Sequence, residues 1–521
     1  MRIDHEFCII GGGPAGLQLG YFLQKAEQSY VILEKGDSPG TFFKTHPRHR
    51  KLISINKVHT GHCDNQINYR WDWNALLCDD DRFMFRNFSR KYFPPADDMV
   101  RYLGEFAEAY DLNIRCGSLV KQVSRLDDGF IVTLADGERL TCNKLIVASG
   151  LAKPYIPEIE GIELAEQYET VSVDAEEFVN QRVLIIGKGN SGFETADHLV
   201  ETTALIHIAS PAPVKFAWQS HFVGHLRAVN NNLLDTYLLK CQNATLEVEI
   251  ERLERVGDKI RATVAYQRAM GSREVIEYDR VICCTGFRMD VDIFDESCRP
   301  EMTIKSRFPT LDSAWQSVNV PGMYFAGALT QSRDFKKTAS AFIHGFRYNV
   351  RALALILLDR YADQPLPHRL REANANALTD AVVERINRSS ALWQQFSFMC
   401  DALVISDNTN EARHYESLPI DFVHEHLTSD HDVYFTVSLE YGFHEEDDPF
   451  KSSRVSHTDV DNASGSTFLH PVVRRFRRGE LIDEHHIVEN LEARWTDDEL
   501  HLRPLTRYFE KALQSPVASH M

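Results

Sequence analysis

Six residues near the start of the chain have the types and spacing of a phosphate-binding turn. Gly11, Gly13 and Gly16 stand at the spacing GxGxxG, with Pro14 and Ala15 between the last two glycines. In this pattern the first glycine permits a tight turn, the second lets a pyrophosphate approach the backbone, and the third allows close helix–strand packing. The run therefore predicts a dinucleotide site with its phosphates at a helix N-terminus.

An acidic residue follows at the distance that a ribose requires. Glu34 lies 23 residues after Gly11, where a carboxylate can accept from both ribose hydroxyls. A site of this kind at the extreme N-terminus most often holds FAD, so the sequence predicts FAD. We assign to the same cofactor Lys35, Thr41, Phe42, Val120, Ser149 and Gly150.

A second glycine turn repeats the pattern in the middle of the chain. Gly187, Gly189 and Gly192 have the same spacing directly after the apolar run 183–186, and Asn190 and Ser191 lie inside the turn. This turn predicts a second dinucleotide site, for a nicotinamide nucleotide.

The residue that would select the nucleotide in this second site is not acidic. Counting 23 residues from Gly187 leads to Ser210, with Lys215 nearby. A carboxylate there would repel the 2′-phosphate of NADP, so its absence favours NADPH. The alternative is that Lys215 is a solvated surface lysine and that the site accepts either nucleotide.

Two dinucleotide sites in one chain imply hydride transfer from a nicotinamide to a flavin. The ten cysteines include no CxxC, which argues against a structural zinc and a thioredoxin-like dithiol. The close pair Cys283 and Cys284 would point to opposite faces of a strand, and we expect both to be buried. The sequence therefore favours dioxygen as the electron acceptor.

The elements that must position these residues form two βαβ units. Strands are predicted over 7–10, 30–33, 130–134, 144–148, 183–186, 205–209, 281–284 and 324–326, and a long helix from about Thr338 to 359. The expected fold is α/β, with two Rossmann-like dinucleotide-binding domains. Residues 1–155 and 287–360 form the FAD domain, 156–286 an inserted NADPH domain, and 361–521 a C-terminal α+β appendage that shapes the substrate site or forms an oligomer. Thr285 and Gly286 mark the second crossover between the domains.

Composition excludes several partners. Lys and Arg number 57 and Asp and Glu 75, a net charge of −18, which disfavours nucleic acid and anionic membranes. The uncharged stretch 7–23 contains five glycines and a proline, so it predicts neither a signal peptide nor a membrane span. We therefore expect a cytoplasmic protein.

Two segments resemble class B flavin-dependent monooxygenases. They are Leu52–Lys57, with the sequence LISINK, and Phe93-Pro94-Pro95. The resemblance implies that Asn56 lies beside the reactive edge of the flavin and that O2 forms a C4a-hydroperoxide there. Lys57 would orient an acidic substrate or the cofactor, or it is a surface lysine.

The loop before the long predicted helix resembles the final flavin contact of two-dinucleotide flavoproteins. The resemblance implies that Gly327 and the helix start near Thr338 face the pyrimidine end of the flavin, and that Asp334 touches ribityl hydroxyls. His344 is expected to be a packed helix residue.

Longer strings resemble the FAD-dependent oxidoreductase domain-containing flavoproteins of the endoplasmic reticulum. They run over 41–51 and 336–348, and in the tail over 440–442, 468–471 and 485–489. The leader and retention signal of those relatives are not found in this sequence. We therefore expect a cytoplasmic, bacterial member of the family.

The function that these observations favour is NADPH- and FAD-dependent N-hydroxylation of a small amine or amino acid in specialised metabolism. The predicted partners are the substrate and O2, with a possible homodimer. A single-component flavin-dependent halogenase and a non-catalytic flavoprotein that binds a protein partner are the alternatives. The histidines at 424, 426, 485 and 486 lack the spacing of helical ligands, so no metal is predicted.

Overall fold

The structure is a computed structural model, and it describes residues 3–240, 243–406, 410–428, 433–442 and 454–514. Its chain forms three main sheets with helices packed between and around them. The first two sheets carry the two glycine turns, and the third lies in the C-terminal part.

The first sheet contains the N-terminal βαβ unit. Its elements are β1 (His5–Ile10), α1 (Pro14–Lys25), β2 (Tyr30–Leu33), α2 (Thr41–Thr45), α3 (Asn65–Asn68), α4 (Ala96–Ala109), β3 (Ile114–Arg115), β4 (Val120–Leu126), β5 (Gly129–Leu134) and β6 (Arg139–Val147). Strands β3, β2, β1 and β6 are parallel in that order, and β5 and β4 continue the sheet antiparallel. Residues 7–10 and 30–33 are buried on both faces, which explains their unbroken apolar runs.

The second sheet repeats this arrangement. Its segment contains β7 (Lys153–Pro154), β8 (Glu166–Gln167), β9 (Arg182–Ile186), α5 (Asn190–Leu199), β10 (Leu205–Ser210), α6 (Ala217–Ser220), α7 (Asn232–Lys240), β11 (Ala244–Val256), β12 (Lys259–Tyr266), β13 (Arg273–Tyr278), β14 (Arg280–Cys283) and β15 (Phe287–Arg288). The strand order is β13-β12-β11-β10-β9-β14-β8, parallel from β11 to β8. Strands β7 and β15 pair antiparallel outside this sheet, so the two crossovers between the domains run side by side.

The chain then returns to the first sheet. Its next elements are β16 (Met302–Thr303), β17 (Phe308–Pro309), β18 (Met323–Phe325) and α8 (Ile343–Tyr361). Strand β18 pairs in parallel with β6 and completes the first sheet. The two Rossmann-like units of the predicted α/β fold are thereby confirmed.

The predicted start of the long helix at Thr338 is wrong, because α8 begins at Ile343. The Thr338 hydroxyl is bonded to the Asp334 carboxylate and, at 3.0 Å, to Gln395. The chain before the helix also folds back, so that the Ala339 carbonyl oxygen lies 2.1 Å from where a Cβ on Gly345 would be. These tertiary contacts hold the residues before Ile343 in a non-helical path.

The C-terminal part is a six-stranded antiparallel sheet with helices. It contains β19 (Arg369–Glu372), α9 (Ala375–Arg388), α10 (Ser390–Gln394), β20 (Met399–Ile405), β21 (Glu411–Pro419), α11 (Ile420–Phe422), β22 (Val433–Glu440), β23 (His470–Arg477), β24 (Glu480–His486) and α12 (Arg503–Gln514). One face packs on α9 and α12 through Leu378, Phe435 and Phe509. The other face shares a core with α8 through Ala402, Leu418 and Leu353. The predicted α+β appendage is thus packed directly on the first domain.

Among the described residues, no helix combines the length and the apolar character needed to cross a membrane.

Candidate functional site

The first glycine turn is open at one position only. A Cβ on Gly11, whose φ is 112°, would lie 2.6 Å from the Ala148 carbonyl oxygen, and one on Gly16 would lie 2.0 Å from the Gly11 carbonyl oxygen. A Cβ on Gly13 would meet no atom of the described residues within 4 Å. Helix α1 begins directly after Gly13, with Pro14, Ala15 and Gly16 as its first turn, and no side chain caps it. The turn therefore leaves space for a phosphate where uncapped amides point.

The carboxylate of Glu34 is oriented beside this turn. It is 5% exposed, and its two oxygens accept hydrogen bonds from the N–H groups of Gly12, at 2.9 Å, and Gly36, at 2.8 Å. Each carboxylate oxygen has a further lone pair, so Glu34 retains the capacity to accept from ribose hydroxyls.

The second glycine turn has the same construction. A Cβ on Gly187, whose φ is 116°, would lie 2.3 Å from the Cys284 carbonyl oxygen, and one on Gly192 would lie 2.2 Å from that of Gly187. Gly189 again has open space around its Cβ position, as judged over the described part of the chain. Ser191 lines the adjoining cleft together with Thr285 and Gly286.

The side chain of Asn190 has a role that the spacing did not predict. Its Nδ2 donates to the carbonyl oxygens of Gly224, at 3.1 Å, and His225, at 2.8 Å, while its Oδ1 accepts from the Arg227 N–H at 3.0 Å. Asn190 therefore holds the segment 224–227 over the start of α5.

The position that would select between NADPH and NADH in the second site is polar. The Ser210 hydroxyl donates to the Ala212 carbonyl oxygen at 3.1 Å, and Lys215 is exposed. Lys188, which the sequence reading missed, donates to the same carbonyl at 3.1 Å. Burial lowers the pKa of Lys188.

The loop before α8 presents polar atoms without partners. Asp334 is 3% exposed, and its Oδ1 has no hydrogen-bond partner within the described ranges. Burial raises the pKa of Asp334 to about 6. The buried Ser149 hydroxyl is also without a partner there. Gly327, with φ 72°, brings this loop against the first turn of α1, because its Cβ would lie 2.8 Å from the Cβ of Ala15.

These observations fit FAD. Unpaired buried polar atoms are costly unless a ligand pairs with them, and the ribityl and ring groups of FAD are donors and acceptors. The open position at Gly13 matches the pyrophosphate, and Glu34 matches the ribose.

Asn56 is 1% exposed, and its amide nitrogen is already hydrogen-bonded whereas its amide oxygen is not. Its Nδ2 donates to the carbonyl oxygens of Ser89, at 2.7 Å, and Lys91, at 3.4 Å, so both amide hydrogens are used. Its Oδ1 is buried without a partner among the described residues. The Asn56 amide therefore has no N–H left to donate to a ligand, but its oxygen can still accept a hydrogen bond. The neighbouring Lys57 side chain is exposed.

The remaining residues assigned to the cofactors are spread along the strand ends and loops. Lys35 is exposed, and the Thr41 hydroxyl donates to the Ser38 carbonyl oxygen at 3.2 Å. Phe42 stacks on His46 with 4.8 Å between ring centroids. Val120 is the buried first residue of β4. Gly150 and Gly286 have positive φ at the two crossovers. Beside Gly286, the Thr285 hydroxyl donates to the Tyr155 carbonyl oxygen.

The vicinal cysteines face opposite sides of the second sheet, as predicted. Cys283 packs with Leu184, and Cys284 packs with Ile185 in a separate core. Burial raises the pKa of both thiols. Two thiols separated by a sheet cannot form a disulfide with each other without moving the backbone.

An aromatic cluster lies in the cleft between the domains, and the sequence reading missed most of it. His344 is a packed residue, stacked on Trp73 with 4.2 Å between centroids. The Arg227 guanidinium lies 4.9 Å from the Trp73 ring centroid. Trp73 and Arg227 belong to no motif, so no local signal could have found them.

Histidines of the C-terminal part form no metal site within the described ranges, where no group of three or more His, Cys, Asp or Glu could hold an ion. His431 and His444 lie outside the described residues.

Two phosphate turns of matched geometry on two crossover-linked sheets define a flavoprotein with two dinucleotide-binding domains. Residues 8–327, which span both turns, match the family described as pyridine nucleotide-disulphide oxidoreductase. The chain belongs to this family.

Relatives and solved structures agree with this assignment. The chain is 36% identical to the FAD-dependent oxidoreductase domain-containing protein 2 of Mus musculus, over 99% of this chain and 85% of the relative. The bacillithiol disulfide reductase of Staphylococcus aureus superposes with a TM-score of 0.52 at 16% identity, over 69% of this chain and 100% of that one. A flavin-containing monooxygenase from Stenotrophomonas maltophilia has a TM-score of 0.51 at 22% identity, with the same coverage. At these identities the solved structures show the shared fold, and the relative confirms the predicted resemblance to FAD-dependent oxidoreductases.

Proposed function

We propose that the protein is an NADPH-dependent flavin monooxygenase that N-hydroxylates a small amine or amino acid. The observation that carries the proposal is the pairing of two dinucleotide turns with a vicinal thiol pair that is split across a sheet. A reductase of disulfides needs a dithiol beside the flavin, and this pair cannot serve as one.

Bound FAD would accept a hydride from the nicotinamide and pass electrons to O2. The residues around the FAD site bind the cofactor and orient its parts. Gly13 admits the pyrophosphate to the amides of α1, Glu34 orients the ribose, and Asp334 with Thr338 pairs with the polar side of the flavin. Gly189 admits the second pyrophosphate.

Asn56 can accept a hydrogen bond at its free Oδ1, while both hydrogens of its Nδ2 are already donated to backbone carbonyl oxygens. An amide is neither acidic nor basic at neutral pH, so it keeps a proton in place rather than transferring it. Phe342, His344 and Trp73 stack on one another and would exclude water from the oxygen chemistry that bound FAD supplies. Lys57 is placed at the surface near Asn56, where it can orient an acidic group.

The nucleotide is NADPH, the co-substrate is O2, and the protein works in the cytoplasm, as a monomer or homodimer.

Replacing Lys215 by Glu should raise the KM for NADPH by about tenfold while leaving that for NADH nearly unchanged, because the new charge repels only the 2′-phosphate.

The experiment that tests the proposal compares electron acceptors. Purified holoenzyme is mixed with NADPH and either O2 with a panel of amines and amino acids, or disulfides under anaerobic conditions. We expect amine-dependent NADPH oxidation and a product heavier by one oxygen atom. Rapid NADPH-dependent disulfide reduction without oxygenated product would contradict the proposal, and halide-dependent product would replace it with halogenation.

A further inference from the structure

One cation between the two domains has no counterion among the described residues. Arg227 is half-buried, and its guanidinium makes no ion pair or hydrogen bond within the described part of the chain. Its Cζ lies 4.9 Å from the centroid of Trp73, so the guanidinium rests on the ring. Burial lowers the pKa of Arg227, but an arginine remains protonated at neutral pH.

Both sides of this contact are held in place. The Arg227 N–H donates to Asn190 at 3.0 Å, which ties it to the first residue of α5 in the second domain. The indole N–H of Trp73 donates to the Arg70 carbonyl oxygen at 3.0 Å, and its ring stacks on His344 from the first domain. The guanidinium therefore has a fixed position between the two domains.

Apart from the Tyr92 phenol, which acts on Arg227 electrostatically, the titratable groups beside this contact lie on α8, and neither His344 nor Arg347 supplies a negative charge. Burial places the pKa of His344 well below its usual value, so that ring is neutral at pH 7. Arg347, also near His344, directs its guanidinium to the carbonyl oxygens of Asp72, at 2.8 Å, and Ala75, at 3.0 Å. A partly desolvated cation without a counterion costs free energy, which a bound anion would offset.

We propose that Arg227 binds the carboxylate of the substrate, so that the enzyme acts on an amino acid rather than a simple amine. A planar guanidinium donates two parallel hydrogen bonds to a carboxylate, and the stacked rings of Trp73 and His344 provide an apolar surface for the carbon chain. The substrate class rests on the proposed function, whereas the carboxylate site does not.

The site is tested by calorimetric titration of the holoenzyme with benzoate and with benzamide, which has the same shape but no charge. We expect benzoate to bind and benzamide not to bind. Arg227→Leu should raise the Kd for benzoate by about tenfold to a hundredfold, the effect of losing a charge-assisted hydrogen-bond pair. Arg227→Lys, which keeps the charge without the planar pair, should give a smaller increase.

Arg125→Leu is the matched control. The Arg125 guanidinium also rests on a ring, 4.8 Å from the centroid of Phe130, and is half-buried like that of Arg227, but it donates to the Pro321 carbonyl oxygen at 2.6 Å. This variant should bind benzoate as the unaltered protein does. The ratio of FAD to protein and the circular dichroism of each variant report on folding.

Three outcomes separate the possibilities. Equal benzoate binding by Arg227→Leu and the unaltered protein would overturn the proposal. So would weaker NADP+ binding with unchanged benzoate binding, because Arg227 would then serve a nucleotide phosphate. Loss of benzoate binding in Arg227→Leu, in an enzyme that oxygenates no amino acid, would keep the carboxylate site and reject the proposed function.

Discussion

At the scale of residues, the glycines of the two phosphate turns divide into closed and open positions. Gly11 and Gly16 have backbone atoms where a Cβ would stand, whereas Gly13 faces open space and has extended backbone with φ −82°. We therefore expect folding to require the first and third glycines, and pyrophosphate binding to require the second. The same division holds at Gly187, Gly189 and Gly192.

Gly13→Ala should reduce FAD binding without destabilising the apoprotein. The added Cβ would meet no atom of the described residues within 4 Å, but it would occupy the approach of the pyrophosphate. We expect about a tenfold or greater rise in the Kd for FAD, measured by fluorescence titration of the apoprotein, with an unchanged Tm.

Gly16→Ala is the matched comparison. Its Cβ would lie 2.0 Å from the Gly11 carbonyl oxygen, so it should destabilise the apoprotein by about 1–3 kcal/mol. Normal FAD affinity in Gly13→Ala would mean that the pyrophosphate binds elsewhere.

Asp334 should make the stability of the apoprotein depend on pH. Burial raises its folded-state pKa to about 6, above the unfolded value of about 3.9. The folded state therefore binds the proton more tightly, so the contribution of Asp334 to the free energy of unfolding is full below about pH 4 and is lost as pH rises through about 6. The total loss is about 3 kcal/mol.

The measurement is the Tm of Asp334→Asn relative to the unaltered apoprotein. The variant lacks the titrating group, so the difference in its favour should grow from about pH 4.5 to about pH 7.5. Asp363→Asn, at an exposed position, should show no such trend. A pH-independent difference for Asp334→Asn would show that this carboxyl titrates normally.

At the scale of elements, a short segment of the first domain docks on α5 of the second. The Arg48 N–H donates to the Tyr168 hydroxyl oxygen at 3.2 Å, and the His49 N–H donates to the Glu194 carboxylate at 3.1 Å. Tyr168 in turn donates to Glu194 at 2.9 Å. Burial raises the pKa of Glu194. This contact sets the orientation of the second glycine turn relative to the first domain.

Glu194→Leu should therefore release the docked segment. Without its acceptor, the His49 amide loses a hydrogen bond worth about 1–3 kcal/mol. We expect hydrogen exchange of a peptide covering Arg48 and His49 to accelerate by about tenfold or more. Glu201→Leu, exposed just beyond the same helix, should leave that exchange unchanged. Equal exchange in both variants would mean that other contacts hold the segment.

At the scale of the whole molecule, the C-terminal part holds the loop that precedes α8. Gln395, which is fully buried, accepts from the Thr338 hydroxyl at 3.0 Å and the Ala339 N–H at 3.2 Å. Its Nε2 donates to Ser340, at 2.9 Å, and Asn349, at 2.6 Å. One side chain from the third sheet's domain thus fixes the loop that carries Asp334.

Gln395→Ala should lower both stability and FAD retention. The change leaves several buried donors and acceptors unpaired, at about 1–3 kcal/mol for each group. We expect a lower Tm and a smaller ratio of FAD to protein after gel filtration. Gln364→Ala, at an exposed position beyond α8, is the control and should match the unaltered protein. Full FAD content in Gln395→Ala would show that the loop is held without the C-terminal part.

The sequence by itself determined the two glycine turns, the strands that precede them and the acid at Glu34. These features depend on local geometry, because the steric needs of a tight turn and the unbroken apolar runs of the buried strands are set by residues that are near one another in the chain. The opposed placement of Cys283 and Cys284 followed from the same short-range rule and is confirmed.

Only the tertiary structure decided where α8 begins, what Asn56 and Asn190 bond to, and that Arg227 rests on Trp73. Each of these depends on a contact between residues far apart in the chain, such as Gln395 with Thr338 or Arg227 with Trp73. Propensity and spacing carry no information about such contacts, because they arise only when separate elements pack against one another.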